Sequence, residues 1–212
     1  MESKSKHTPC QPEKHDYRIK ISILGDYQVG KTSIQKHYFF DNFEASPKGG
    51  GGINIKTVNY EDKVIKLLVY DLVRQERFSR PDKELYRGTH GVLVVYDVTN
   101  PSSFESVTWY IDEIKQKAPP DCQIFLLGNK IDKEEARTVS YAAGSELASN
   151  LGIPLFETSA RSGVGVKEAF IELIARIPAK IKEGKIEEKQ QQESVQLLKK
   201  DSQTQKKKAS CA

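Results

Sequence analysis

The sequence predicts an α/β protein with three layers, in which helices cover both faces of a mostly parallel, six-stranded sheet that carries one antiparallel edge strand. Two patterns predict it. Short β-branched runs alternate with segments of helical period between residues 17 and 180. One adjacent pair of runs, Ile53–Tyr60 and Val64–Tyr70 around Glu61-Asp62-Lys63, reads as a hairpin and supplies the antiparallel edge.

The elements follow in chain order. Residues 1–16, with Pro9, Pro12 and mixed charge, read as a disordered N-terminal arm. Arg18–Leu24 places Ile19, Ile21 and Ile23 at period two and reads as a strand. Ile34–Phe40 reads as the body of a short helix, and Asp41–Gly52 as a long connection ending in four glycines. After the hairpin, Val92–Tyr96 and Ile124–Leu127 are continuous apolar runs, as buried parallel strands require, and Leu155–Phe156 is a weaker one. Ser102 or Ser103 caps a helix whose face carries Val107, Tyr110, Ile111 and Ile114, and Pro119-Pro120 stops it. Ser140–Asn150 is a second helix, with Leu147 and Leu151 on its apolar side. Val166–Ile177 is a third, with Phe170, Leu173 and Ile174 at helical spacing. The packed domain spans 17–180, and a flexible, lysine-rich tail spans 181–212.

Composition excludes several classes. Apolar residues at 37% suffice for a core, and no run approaches the ~20 residues that cross a bilayer. The polar segment Met1–Asp16 has no apolar region of a secretory signal, and Glu2 excludes N-myristoylation. Cys10, Cys122 and Cys211 are scattered and odd in number, which fits a reducing, cytoplasmic setting rather than a disulfide scaffold. The net charge of +4 lies mostly in the tail, where eight lysines face five acids, so a nucleic-acid-binding body is disfavoured.

Gly25-Asp26-Tyr27-Gln28-Val29-Gly30-Lys31-Thr32 matches the phosphate-loop spacing G-x-x-x-x-G-K-[ST]. It follows a strand and opens a helix, the context that the motif needs. Loop and helix N–H groups surround phosphates, Lys31 brings a cation to them, and the Thr32 hydroxyl ligates Mg²⁺. Asp71, after the apolar run Leu67–Tyr70, reads as the second metal contact. Gly128-Asn129-Lys130-Ile131-Asp132 follows the strand Ile124–Leu127, at the end of a sheet where ligands bind. A carboxylate at Asp132 accepts from both N1–H and the 2-amino group of guanine, a pair that adenine lacks, which disfavours an ATP-using enzyme. Backbone N–H groups of Glu157-Thr158-Ser159-Ala160 are candidates to meet the guanine O6.

With these motifs in place the sequence resembles the Rab-like small GTPases of the Ras superfamily, over roughly Tyr17–Lys180. The phosphate loop, Gln75–Phe78 (QERF), Tyr86–Gly91 (YRGTHG), Val94–Phe104 (VVYDVTNPSSF), GNKID and ETSA carry the likeness. The resemblance implies a GTP/GDP site with Mg²⁺. In it Asn129, Lys130 and Asp132 hold guanine, Ser159 and Ala160 support it, and Arg161 replaces a usual lysine. It implies that Ser33 belongs to the nucleotide site, that Phe43 packs on the base edge, and that Gln75 orients the attacking water while Lys31 stabilises charge. Effectors, exchange factors and activating proteins are implied partners, and vesicle traffic at the cytosolic face of an intracellular membrane is the implied role.

Four departures surround the γ-phosphate. The family's effector-loop Thr is missing, since no Thr occurs between Ser33 and Lys56; Lys48 or Gly49 falls at its place and Ser46 is nearby. The glycines 49–52 each cost roughly 0.5–1 kcal/mol more to order than alanine, so this switch is expected to stay mobile in both nucleotide states. Arg74 replaces the pivoting glycine before Gln75, and acts either as an arginine finger in cis or as a solvent-facing side chain. Tyr27 and Gln28 stand where small residues are usual. Slow hydrolysis is the expectation; the alternative is a constitutively loaded interaction module, nearly a pseudo-GTPase. In the tail, Lys199-Lys200 and Lys206–Lys208 precede Cys211. A prenylated Cys211 beside this basic stretch makes a two-signal membrane anchor; a soluble tail is the other reading.

Overall fold

The computed structural model describes residues 15–41, 52–71 and 83–183, with side chains described in the last stretch over 85–177. Phe43, the effector-loop positions 46–49, Arg74, Gln75 and Cys211 lie outside the described residues. The chain divides into two units, residues 1–177 and 178–212; the fold below is that of the first.

Six strands form one sheet: β1 (Tyr17–Leu24), β2 (Gly52–Tyr60), β3 (Lys63–Asp71), β4 (Gly91–Asp97), β5 (Gln123–Asn129) and β6 (Leu155–Thr158). Their order is β2-β3-β1-β4-β5-β6. Only β2 runs antiparallel to its neighbour, with Gly52 opposite Asp71 and Tyr60 opposite Lys63. All the other pairings are parallel. The expected class is what the chain adopts. β4 is buried at every position, the signature of a strand covered on both faces.

The helices are α1 (Lys31–Phe40), α2 (Lys83–Tyr86), α3 (Pro101–Glu105), α4 (Val107–Lys117), α5 (Tyr141–Leu151) and α6 (Val166–Glu183). The helix after Ser102 and Ser103 differs from the sequence expectation. The single helix after Ser102 and Ser103 is two, α3 and α4, broken at Ser106. Its cap is neither serine but Asn100, whose side chain accepts from the Ser102 N–H, with Pro101 at the first helical position. Ser103 turns its hydroxyl back onto the Asn100 carbonyl at 2.7 Å. On α5, Leu147 and Leu151 pack partly buried against the core as expected, and the fully buried positions beside them are Gly144 and Ala148. The reason is Tyr96: a Cβ on Gly144 would come within 2.5 Å of its hydroxyl, so the ring takes the space that a large helix residue would fill.

The sheet's N-terminal end holds a pH-sensitive contact. The Lys20 N–H donates to His90 Nδ1 at 3.1 Å, which requires a neutral ring. Burial lowers the His90 pKa from the ordinary histidine value; Asp121 opposes this and Lys20 adds to it. The unfolded chain therefore binds a proton that the folded chain refuses, so stability falls as pH drops below about 6.5, by at most about 1.4 kcal/mol per pH unit. Chemical denaturation at pH 7 and pH 5.5 measures it; His90→Gln keeps an acceptor and should flatten the slope. Equal slopes for both proteins would remove this role.

Candidate functional site

The carboxyl ends of β1, β3, β4, β5 and β6 lie along one edge of the sheet, and the sequence motifs follow those ends. The phosphate loop leaves β1 between β3 and β4, which continue the sheet to opposite sides of it. Gly25 has φ 138°, and a Cβ there would stand 2.1 Å from the Val95 carbonyl oxygen. Gly30 is the left-handed N-cap of α1, with φ 101°. No side chain caps α1, so its first N–H groups are left for a ligand. Gln28 holds φ 64° without being a glycine, a strained backbone in an exposed loop. Tyr27, beside it, is 51% exposed.

Lys31 points back into the loop. Its ammonium donates to the Gly25 carbonyl at 2.8 Å and to the Asp26 carbonyl at 2.5 Å, using two of its three donors. Burial lowers its pKa, and the Asp71 and Asp26 carboxylates work against that and hold the cation. Asp71 ends β3 fully buried, and neither carboxylate oxygen accepts a hydrogen bond at good geometry among the described residues. Burial raises its pKa; the neighbouring Thr32 hydroxyl and the charges of Lys31 and Lys36 oppose this. A buried carboxylate met only by one hydroxyl at poor geometry is costly unless a cation meets it. Asp71 beside the Thr32 hydroxyl thus fits a divalent ion with oxygen ligands, such as Mg²⁺.

The base-side loops are joined to the phosphate loop by one buried amide. Asn129 Nδ2 donates to the Val29 carbonyl at 2.8 Å, across 100 residues of sequence. Its Oδ1 accepts from the Ala160 N–H at 3.1 Å and from the Thr158 hydroxyl at 3.3 Å. Asn129 therefore organises the site, and its amide nitrogen has a second N–H beyond the one given to Val29. The Ala160 N–H is engaged within the protein, so a base would have to share or displace that bond.

Lys130 adopts φ 71° and reaches Asp97 Oδ2 at 2.5 Å. Burial raises the Asp97 pKa, but bonds from Lys130 and Thr99 outweigh it, and the carboxyl lies below its ordinary value. Asp132 is exposed, and its Oδ1 accepts from the Ser159 hydroxyl at 2.6 Å. Its second oxygen can still accept from a base edge. Arg161 is exposed on the loop after β6, two residues beyond Ser159, and Ser33 lies in the first turn of α1.

Sequence reasoning did not assign several supports. Arg137 clamps Glu157 through two bonds, 2.6 and 3.1 Å, and also reaches Glu134. His37, on α1, meets the Ala160 carbonyl at 3.1 Å and packs where a Cβ on Gly163 would stand. Asp97 was visible in the VVYDVT run, but nothing local marked its pairing with Lys130.

A sequence model of the Ras family matches residues 20–179. The Ras-related protein Rab-3 of Caenorhabditis elegans is 39% identical over 194 residues, 90% of this chain and 89% of the relative. The Ras-related protein Rab-8 of Diplobatis ommata is 40% identical over 187 residues, 87% of this chain and 89% of the relative. The GTP-binding protein YPTM1 of Zea mays is 37% identical over 164 residues, 76% of this chain and 79% of the relative. With that match over most of its length, on a sheet of this order carrying these loops, the chain belongs to the Ras family and is a Rab-like small GTPase.

Proposed function

We propose that this protein binds GTP and GDP with Mg²⁺, hydrolyses GTP slowly, and regulates membrane traffic, the role that its resemblance to Rab-like small GTPases implies. The observation that carries the reading is the Asn129 amide, which ties the phosphate loop to both base-side loops. Asp132 offers a carboxylate to the two guanine donors, held in place by Ser159. Lys31 and the N-terminal N–H groups of α1 receive the β- and γ-phosphates. Thr32 and Asp71 hold the magnesium ion, which when bound neutralises phosphate charge. Gln75 orients a water for in-line attack, and Arg74, Tyr27 and Gln28 slow that step by crowding or misaligning it. Phe43 packs on the base edge, and Arg161 covers it.

The protein acts through effectors, an exchange factor and an activating protein. The tail from residue 181, with Cys211 prenylated, holds it at the cytosolic face of an intracellular membrane. Among the described residues no helix is long and apolar enough to cross a membrane. The domain extends over 17–180, preceded by the arm of residues 1–16.

The test is to denature the protein as purified from cells and identify the released nucleotide by chromatography. Stoichiometric GDP is expected. Predominant GTP would favour the second reading, a constitutively loaded module with negligible turnover. That reading draws on the strained Gln28 and the exposed Tyr27 in the phosphate loop. No guanine nucleotide at all would overturn both.

A further inference from the structure

Asp26 is a charge of the wrong sign for its place. It lies in the loop that receives phosphates, and a carboxylate there repels the ligand. Its side chain, however, is fully occupied. Oδ2 lies 2.8 Å from the Ser106 hydroxyl and Oδ1 accepts from the Tyr110 hydroxyl at 3.0 Å. The backbone carbonyl of the same residue accepts from Lys31 Nζ. Three oxygens of one residue are thus anchored, two by α4 and the break before it, one by the phosphate-binding cation.

The helix side is built for this. Ser106 sits at the α3–α4 break, where its side chain does not cap α4, so its hydroxyl is available to reach across. It also lies 3.0 Å from the Ser102 carbonyl; its single proton goes to the charged acceptor. Tyr110 is held edge-on by Trp109, with ring centroids 4.9 Å apart at 80°. Burial, reinforced by Asp26, pushes the Tyr110 pKa up, so the hydroxyl stays a donor at every physiological pH.

We propose that Tyr110 and Ser106 are positioning residues for the phosphate loop: by holding both carboxylate oxygens of Asp26 they fix the loop and set how long guanine nucleotide stays bound. The proposal rests on the guanine-nucleotide reading above. Loosening either hydroxyl frees a carboxylate to swing toward the phosphates and lets the Asp26 carbonyl drift from Lys31.

The experiment is release of N-methylanthraniloyl-GDP in MgCl₂, followed by fluorescence after adding excess GDP, with thermal denaturation of each loaded protein. Tyr110→Phe, which keeps the ring packing, should accelerate release about ten-fold, and Ser106→Ala about five-fold. In an Asp26→Ala background, Tyr110→Phe should add less than about two-fold, because its partner is gone. Melting temperature alone falling, with release unchanged in both single variants, would overturn the proposal. So would an equal acceleration in the Asp26→Ala background. If Tyr110→Phe does not fold, Ser106→Ala decides by the same two comparisons. A wild-type chain that takes up no labelled GDP defeats the underlying reading and the proposal with it. Unchanged release from variants of a well-loaded wild type defeats the proposal alone.

Discussion

Gly30→Ala is expected to yield a protein that folds but does not retain nucleotide. Two costs meet at this position. The backbone holds φ 101°, which an alanine adopts only with strain. The new Cβ would stand 2.3 Å from Asn129 Nδ2. That amide is not a loose side-chain end that can give way. It donates to Val29 and accepts from Ala160 through its oxygen, so displacing it breaks the connection between phosphate and base loops. Strain of about 1–3 kcal/mol and an unsatisfied buried group of about 1–3 kcal/mol add to about 2–6 kcal/mol. Nucleotide release should therefore accelerate by roughly 30-fold to 10⁴-fold, since 1.4 kcal/mol is a factor of ten. Loss of bound nucleotide on gel filtration, with retained circular dichroism, is the expected observation. Release within about three-fold of wild type would show that Asn129 moves freely and is no connector.

The second large effect concerns base choice. Asp132→Asn should weaken GTP binding and admit xanthosine triphosphate. The carboxylate accepts from N1–H and from the 2-amino group of guanine; the asparagine amide offers one acceptor and one donor. Xanthine carries an oxygen in place of the 2-amino group, so the new pair matches it. The Ser159 hydroxyl still has an oxygen to donate to, which keeps the side chain in place. The 2-amino group loses its acceptor while N1–H keeps a neutral one; one hydrogen bond to a charged group, about 1.5–3 kcal/mol, corresponds to a loss of at least roughly 10-fold to 10²-fold for GTP. Competition between labelled GDP and unlabelled xanthosine diphosphate reads this directly. An unaltered order of preference would remove Asp132 from the base site.

What was legible in the sequence was what is local. The phosphate loop is eight consecutive residues between a strand and a helix, and the hairpin is two runs around a turn that the structure makes from Glu61-Asp62 alone, with Lys63 already in β3. Each is dictated by neighbours along the chain. The single helix expected after Ser102 failed for a local reason that was misjudged: Asn100 and Pro101 make a better start than either serine, and Ser106 interrupts the helix. The site's supports were illegible because their partners are remote. Tyr110 meets Asp26 across 84 residues, and Arg137 meets Glu157 across 20. No spacing rule connects such pairs; only the strand order brings them to one edge. Asn129 illustrates the difference. Its motif marks it as a base-binding residue, and only the fold shows that its amide also ties two loops together.

That amide has a mechanical consequence. With Val29 on one side and Ala160 on the other, the Asn129 amide works as a hinge pin between the pocket's two halves. A ligand spanning both loops would then feel at both of its ends a disturbance made at either one.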